Sequence, residues 1–323
     1  MRAVHVTRLD GPEAVEIVDL PQPTAAEGQV LIKVERAGVS FPDLLLTRGE
    51  YQIRPDLPFV PGAEVSGTVV SAPADSGLTT GDRVAAFPGF GGFAEFVTAP
   101  TDFVFPLPGS MSFDVAAALP MNYLTCLFAL LERGGLQPGE TVLVHGAAGG
   151  IGTAAIQVAK ASGAKVIAVT STPQKGEVAR AAGADDVVLA DGFLAAVKDL
   201  TGGRGVDVVV DPVGGDRFTD SLRSLATLGR LLVIGFTEGA IPQVKVNRLL
   251  LNNISVVGVG WGAYWASQPH VVRSQWDQLM QLAGTGAIDP PIDQVVPLSD
   301  AGTAIGRLAA RTVTGKLLLD PAR

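Results

Sequence analysis

The stretch Thr141-Val-Leu-Val-His-Gly-Ala-Ala-Gly-Gly-Ile-Gly152 joins a short apolar strand to a glycine-rich turn, and an apolar helical pattern follows directly. Gly149 and Gly150 allow the backbone to approach a pyrophosphate, and Gly152 permits close packing of the helix on the strand. The first N–H groups of a helix and its dipole favour bound phosphate. The turn therefore predicts a dinucleotide site, against the alternative that its glycines serve packing alone.

Strands and helices alternate after this turn, which predicts right-handed crossovers and a parallel sheet covered on both faces. This pattern is typical of a doubly wound, Rossmann-type domain. The predicted helices are Gly150–Ser162, Pro173–Ala182, Gly192–Leu200 and Asp216–Ala226. The predicted strands are Thr141–His145, Lys165–Thr170, Asp186–Leu189, Val206–Asp211, Arg230–Gly235 and Ile254–Val259.

The first hundred residues are rich in short β-branched segments separated by Gly and Pro, which predicts a small barrel or sandwich. A short helix is predicted at Phe41–Thr47, and the C-terminal segment is too short for a domain of its own. We therefore expect a β-rich domain of residues 1–120 plus 266–323 and a nucleotide-binding domain of residues 121–265. The predicted N-terminal strands are Val15–Asp19, Gln29–Ala37, Ala63–Ser71, Asp82–Phe87 and Phe93–Ala99.

The charge balance excludes some classes of partner. The formal net charge is -8, whereas nucleic acids and anionic membrane surfaces require basic patches. Two uncharged stretches, Val115–Leu131 and Leu249–Val272, contain Pro, Asn or Gly and are expected in the interior of a globular protein. The single cysteine, Cys126, and the lack of an apolar leader at the N-terminus predict a cytoplasmic protein.

The end of the second predicted strand indicates which dinucleotide binds. An NAD site usually has Asp or Glu there, whereas this strand ends Val169-Thr170-Ser171-Thr172 and is followed by Lys175. Hydroxyl groups and a cation can receive a 2′-phosphate, and no carboxylate is present to repel it. The sequence therefore predicts NADPH, with an ordinary exposed lysine as the alternative for Lys175.

The residues that could bind zinc are few. The candidates are Cys126, His5, His145 and His270, and no two of them have the spacing of a ligand pair. A protein without a Lewis acid has little to stabilise the alkoxide of a simple alcohol. Hydride addition to a quinone or an α,β-unsaturated carbonyl gives a delocalised enolate, which favours that class of substrate.

Several segments together resemble the quinone oxidoreductase branch of the medium-chain dehydrogenase/reductases. The resemblance covers almost the whole chain and implies a GroES-like catalytic domain, a Rossmann domain and a dimer that pairs through Ile254–Val259. In zinc-dependent relatives, Cys stands at the position of Ser40 and His at that of Ala63. The matching segments are Ala37–Gly49, Leu57–Gly67, Gly81–Val84, Gly91–Glu95, Asn122–Thr125, His145–Gly152 and Gly315–Leu319.

The resemblance also implies roles for individual residues. Thr125 would contact the nicotinamide end of the cofactor, and Ser40 and Phe41 would line its pocket. Ser40 and Thr125, together with Tyr51, which the resemblance does not supply, are the candidate catalytic residues. The remaining cofactor-binding candidates are Gly149, Gly150 and Ile151 at the pyrophosphate, Thr170, Ser171 and Lys175 at the 2′-phosphate, and Gly235 and Phe236 over the cofactor.

Other candidates have two interpretations each. Tyr51 is either a hydroxyl near the substrate carbonyl or a surface aromatic residue that covers its loop. Asp43 and Glu64 could be catalytic carboxylates, but a structural role is favoured for both. The aromatic residues Trp261, Tyr264 and Trp265 either form the wall of a substrate pocket or pack in a core or dimer interface.

Three functional hypotheses follow. The favoured one is an NADPH-dependent, metal-free reductase of quinones or other conjugated carbonyls, active as a homodimer on a small-molecule substrate. The second is an enoyl-thioester or alkenal reductase. The third is a non-catalytic NADPH-binding protein.

Overall fold

The computed structural model describes all 323 residues of the chain. The strands are β1 (Arg2–Val6), β2 (Val15–Asp19), β3 (Gln29–Val39), β4 (Glu64–Ser71), β5 (Arg83–Ala86), β6 (Phe96–Pro100), β7 (Val104–Pro106), β8 (Thr141–Val144), β9 (Lys165–Thr170), β10 (Asp186–Leu189), β11 (Val206–Asp211), β12 (Leu225–Val233), β13 (Ser255–Gly258), β14 (Ile292–Pro297) and β15 (Lys316–Asp320).

Eleven α-helices accompany these strands, and the third continues as a π-helical segment, Phe128–Arg133. No helix combines the length and the apolar character that a membrane-spanning segment needs. The helices are α1 (Phe41–Thr47), α2 (Phe113–Ala117), α3 (Pro120–Leu127), α4 (Gly150–Ala161), α5 (Pro173–Ala181), α6 (Phe193–Leu200), α7 (Phe218–Arg223), α8 (Asn247–Asn252), α9 (Trp261–Ser267), α10 (Val271–Gly284) and α11 (Ala301–Ala309).

The chain forms two compact units. The first unit comprises residues 1–121, 272–276 and 292–323, and the second comprises residues 122–271 and 277–291. Helix α10 contributes residues to both units, so the chain passes between them more than once.

The second unit is built on a six-stranded parallel sheet in the order β10-β9-β8-β11-β12-β13. The order reverses between β8 and β11, which confirms the predicted doubly wound fold. Val142, Leu143 and Val144 of β8 are completely buried, as expected for a strand with helices on both faces. The carboxyl ends of β8 and β11 therefore flank the crevice where such folds bind ligands.

The first unit has a mainly antiparallel sheet with β3 at its centre. Strand β3 pairs with β4, β6 and β15, and β14 adds to β15 in the parallel direction. The buried core includes Val34, Val65, Val84 and Leu317 from four strands of this sheet. The β-rich character predicted for the N-terminal region is confirmed.

The structure differs from the sequence prediction at the boundary between α7 and β12 and in several elements that were not predicted. Helix α7 ends at Arg223 and β12 begins at Leu225, whereas a helix to Ala226 and a strand from Arg230 were expected. Leu225 pairs with Val206 before the register shifts, so this early strand segment depends on a partner that local sequence does not reveal. Strands β1 and β7 and helices α2, α8 and α9 were not predicted. Strand β1 is fixed mainly by pairing with β2.

Candidate functional site

The glycine-rich turn lies at the carboxyl end of β8, beside β11. His145 N donates to Val210 O at 3.0 Å, and Ala147 N donates to Val169 O at 3.2 Å. These bonds hold the turn between β11 and β9 at the reversal of strand order. The predicted dinucleotide turn therefore occupies the position where open parallel sheets bind their ligands.

Gly152 of this turn has no room for a side chain, and Gly150 could take one only if the Asn122 side chain moved. A Cβ on Gly152 would lie 2.2 Å from Gly146 O, and a Cβ on Gly150 would lie 2.4 Å from Asn122 Nδ2. Helix α4 begins at Gly150, so its first N–H groups have no partners within the helix. Bare backbone and a helix N-terminus form the cradle that a pyrophosphate requires, and the residues therefore fit a dinucleotide.

Helix α3 packs against this turn. Cys126 Sγ donates to Ile151 O at 3.4 Å, and Asn122 contacts the turn one helical turn earlier. Thr125 is 9% exposed and belongs to the same face of α3, since residues three apart on a helix are neighbours. Burial raises the pKa of the Cys126 thiol, so this cysteine stays protonated and serves packing.

The end of β9 brings together the residues predicted to meet a 2′-phosphate. Thr172 accepts a hydrogen bond from Lys175 N at 3.3 Å and caps helix α5. Ser171 is exposed beside this cap, whereas Thr170 is buried and donates its hydroxyl to Thr172 O at 3.2 Å. The side chains of Ser171 and Lys175 thus belong to the N-terminus of one helix, while the Thr170 hydroxyl is used within the turn.

Gly235 and Phe236 follow the carboxyl end of β12, the strand next to β11. Thr237 N donates to Pro212 O at 3.1 Å and ties this loop to the one after β11. A Cβ on Gly214 would lie 2.9 Å from Phe236 Cδ1, so the phenyl ring packs directly on the Gly214 backbone. Both candidates therefore lie on the same edge of the sheet as the glycine-rich turn.

His145 is a buried support of the turn. The Ser221 hydroxyl donates a hydrogen bond to Arg217 O at 3.0 Å. Because its one proton is used there, the hydroxyl accepts a hydrogen bond from His145 Nε2–H at 2.8 Å. Burial lowers the pKa of His145 to about 4, and the ring is neutral at physiological pH. The side chain anchors the turn to α7.

The first unit contains a buried polar cluster of Ser40, Asp43, Glu64 and Lys316, which we call the polar cluster. Lys316 Nζ donates to Ser40 Oγ at 2.6 Å and also bonds Glu64 Oε1. Ser40 Oγ donates to the same Glu64 oxygen at 2.9 Å. Glu64 is completely buried and Lys316 is 3% exposed. Buried charges need a partner, and these two residues form an ion pair with each other.

Backbone groups complete the partners of the two carboxyl groups in the polar cluster. Asp43 accepts hydrogen bonds from Ser40 N at 2.8 Å and Gly62 N at 3.1 Å. Glu64 Oε2 accepts one from Met121 N at 2.8 Å. Burial raises the pKa of Asp43 to about 7, although these N–H groups and the nearby Lys316 ammonium lower it.

Phe41 and Tyr51 differ in their surroundings. Phe41 is half-buried and packs against the core of the first unit. Tyr51 is also half-buried and packs against a small cluster of Val6, Leu46 and Phe59. Burial, with a smaller effect of the Asp43 carboxylate, raises the pKa of Tyr51, so its hydroxyl is protonated at physiological pH.

Comparisons with known proteins identify the family. Residues 26–109 match the family described as alcohol dehydrogenase GroES-like domain, and residues 150–284 match zinc-binding dehydrogenase. The quinone oxidoreductase-like protein 2 of Bos taurus is 41% identical, over 98% of this chain and 92% of that protein. The chain belongs to the quinone oxidoreductase branch of the medium-chain dehydrogenase/reductase superfamily. The expected GroES-like domain is thereby confirmed.

Solved structures agree with this placement in the quinone oxidoreductase branch. A probable oxidoreductase from Mycobacterium abscessus has a TM-score of 0.92 and 45% identity, over 99% of both chains. The Escherichia coli quinone oxidoreductase, solved in complex with NADPH, has a TM-score of 0.91 and 30% identity, over 99% of this chain and 100% of that chain.

Two residues of this chain that lie at the candidate sites were given no role by the sequence analysis. Lys316 is a member of the polar cluster, and Asn122 packs against the glycine-rich turn. The sequence does give a signal for Lys316, which directly precedes the apolar run Leu317–Leu319. A charged residue next to such a buried strand needs a buried partner of opposite charge. Asn122 opens one of the segments that match the family, Asn122–Thr125, although no role was assigned to it.

The aromatic residues after β13 pack within the second unit. Trp261 is 4% exposed, and its ring lies 6.4 Å from that of Trp265 in a tilted arrangement. Tyr264 stacks on Phe128 at 4.7 Å between ring centroids. These contacts favour the packing interpretation of Trp261, Tyr264 and Trp265 over the interpretation as a pocket wall.

The pKa of Asp43 predicts a pH-dependent stability difference. The folded protein binds this proton more tightly than the unfolded chain, so the stabilising contribution is present below about pH 4 and is lost as the pH rises through about 7. Relative to Asp43→Asn, the wild type should lose about 2 kcal/mol of unfolding free energy from about pH 5.5 to about pH 8.

Denaturant unfolding at several pH values measures this difference. The exposed Asp75→Asn variant is the matched control, and its difference from the wild type should not change with pH. A constant difference for Asp43→Asn would contradict the raised pKa.

Proposed function

We propose that this protein is an NADPH-dependent reductase that transfers hydride to quinones or other α,β-unsaturated carbonyls without a metal ion. The observation that carries the cofactor assignment is the end of β9, where Ser171 and Lys175 lie at the N-terminus of α5. No carboxylate occurs among residues 169–175, and a 2′-phosphate would therefore meet hydroxyl, ammonium and helix dipole together. The NADPH complex of the Escherichia coli relative supports this assignment.

We assign the remaining cofactor contacts to the same edge of the parallel sheet. Gly149, Gly150 and Ile151 would hold the pyrophosphate with backbone N–H groups. Gly235 and Phe236 would cover the cofactor, and Thr125 would contact its nicotinamide end. The cradle around the glycine-rich turn and the packing of α3 against it support these roles.

The proposed reaction is the reduction of an activated carbonyl. NADPH, when bound, supplies a hydride from its nicotinamide ring. Addition of that hydride to a conjugated acceptor leaves a negative charge that is delocalised onto the carbonyl oxygen of the substrate. We assign the Ser40 and Tyr51 hydroxyls to hydrogen bonding at that oxygen, because both are neutral donors at physiological pH.

The polar cluster supports the metal-free part of the proposal. The resemblance places Ser40 and Ala63 where zinc-dependent relatives have Cys and His, and neither side chain offers a thiolate or imidazole. The Lys316 ammonium lies 2.6 Å from Ser40 Oγ, where its charge would repel a divalent cation. A conjugated acceptor needs less electrophilic assistance than a simple ketone.

Steady-state kinetics tests the proposed function. The protein should oxidise NADPH with an ortho-quinone, and prior treatment with a strong chelator should leave the rate unchanged. Loss of activity after chelation contradicts the metal-free reaction. Faster turnover of crotonyl-CoA than of quinones supports an enoyl-thioester reductase instead. Tight NADPH binding without turnover of any acceptor supports a non-catalytic protein.

The cofactor assignment predicts a selective effect of Lys175→Glu. The new carboxylate should repel the 2′-phosphate and raise the KM for NADPH about tenfold or more, while the KM for NADH changes less than about threefold. Lys198→Glu is the matched control, because it makes the same charge change at an exposed site on α6. Equal effects of Lys175→Glu on both cofactors would refute the role of Lys175.

We further propose that the protein is a homodimer that pairs through β13. This strand forms one edge of the parallel sheet, and unpaired strand edges are sites of association. Large apolar side chains of β12 and of residues 241–251, which precede β13, are highly exposed, and a second copy would cover them in a symmetric contact. These side chains are Leu228 (79% exposed), Ile241 (74%), Val246 (73%), Leu250 (76%) and Leu251 (74%).

A charge in this apolar surface should dissociate the dimer. Leu250→Glu should shift the mass measured by light scattering toward that of the monomer, because burial of a carboxylate against its symmetry mate is unfavourable. Leu189→Glu is the matched control at the opposite edge strand, β10, and should leave the mass unchanged. A wild-type protein that is monomeric at micromolar concentration would contradict the proposal.

A further inference from the structure

Ser40, Glu64 and Lys316 form a closed ring of hydrogen bonds. Lys316 Nζ donates to Ser40 Oγ at 2.6 Å and to Glu64 Oε1, and Ser40 Oγ donates to Glu64 Oε1 at 2.9 Å. Met121 N donates to the other carboxylate oxygen, Oε2, at 2.8 Å. Two donors therefore meet at Glu64 Oε1, and one of them belongs to the candidate catalytic residue Ser40.

The hydrogen-bond capacity of each group shows which bond of the ring is dispensable. A serine hydroxyl has one proton and two lone pairs, and an ammonium has three protons and no acceptor. If the Ser40 proton turned away from Glu64, Oε1 would keep the Lys316 ammonium and Oε2 would keep Met121 N. The buried carboxylate would stay paired, so the movement costs far less than exposing an unpaired charge.

We propose that Lys316 is a positioning residue that makes the Ser40 hydroxyl a donor to the carbonyl oxygen of the substrate. This inference rests on the proposed function. Lys316 occupies a lone pair of Ser40 Oγ, which directs the hydroxyl proton away from the ammonium and polarises the O–H bond. Ser40 then donates a stronger hydrogen bond to an oxygen that becomes negative during hydride transfer.

Local packing holds the ammonium in this position. A Cβ on Gly38 would lie 2.8 Å from Lys316 Cε and 2.7 Å from Glu64 Cγ, so the absence of a side chain on β3 makes room for both. Lys316 and Glu64 lie on strands β15 and β4, which flank β3. The sheet itself thus fixes the ring, and Ser40 joins it at the start of α1.

A double-mutant cycle on kcat tests whether Lys316 acts through Ser40. With NADPH and an ortho-quinone, Ser40→Ala should lower kcat about tenfold or more, and Lys316→Met should lower it similarly. In the Lys316→Met background, Ser40→Ala should change kcat by less than about twofold. The exposed Lys33→Met variant on β3 is the control and should match the wild type. Independent, multiplicative losses would overturn the proposal.

A second variant covers the case in which Lys316→Met does not fold. The double variant Glu64→Gln, Lys316→Met removes both buried charges and leaves neither unpaired, which proteins often tolerate. The effect of Ser40→Ala on kcat should again fall below about twofold in this background. A full tenfold loss there would show that Ser40 does not depend on Lys316.

Ionisation of a bound phenol gives a readout that does not require turnover. A nitrocatechol resembles a quinone product, and its absorbance reports the phenolate. Bound to the NADP⁺-saturated wild type, it should ionise at a lower pH than when bound to Ser40→Ala or Lys316→Met. Equal ionisation in all three proteins overturns the proposal. A wild type that lowers the ionisation pH but reduces no acceptor contradicts only the proposed function.

Discussion

The backbone of the turn after β8 packs so closely on itself that no side chain fits at Gly152, where a Cβ would lie 2.2 Å from Gly146 O. Because Gly152 lacks a side chain, the start of α4 packs directly on the turn, and Gly150 packs on Asn122 of helix α3. Because β8 borders the reversal of strand order, the first N–H groups of α4 lie at the crevice of the sheet. The backbone groups proposed to hold the pyrophosphate lie beside that close contact.

A different constraint governs the first unit, where charged groups are buried and must be paired. An isolated buried carboxylate or ammonium costs several kcal/mol, so Glu64 and Lys316 are stable there only together. Ser40 and Met121 N supply the remaining hydrogen bonds to Glu64. Removal of one partner exposes the other to the full penalty, whereas removal of both charges together leaves neither unpaired.

The family and the local chemistry support one function together. Membership of the quinone oxidoreductase branch accounts for both domains, while the end of β9 supplies the argument for a phosphorylated dinucleotide. A serine hydroxyl beside a lysine polarises a substrate carbonyl less strongly than a metal ion does. Such a hydroxyl is sufficient for acceptors that delocalise the incoming charge, such as quinones. In the proposed role, Lys316 orients the proton of that hydroxyl toward the substrate.

The sequence by itself determined the Rossmann fold, the glycine-rich turn and the candidate cofactor residues, because hydrophobic period, glycine spacing and capping residues are local properties. Helix α1 and strands β9 and β11 begin and end where predicted. Only the tertiary structure decided strand β1, the early start of β12 and the pairing of Lys316 with Glu64. Strand β1 depends on its pairing with β2, and the start of β12 depends on its pairing with Val206. Lys316 lies 252 residues from Glu64. The leucines after Lys316 indicate that it is buried, but nothing in the sequence identifies Glu64 as the carboxylate that pairs with it.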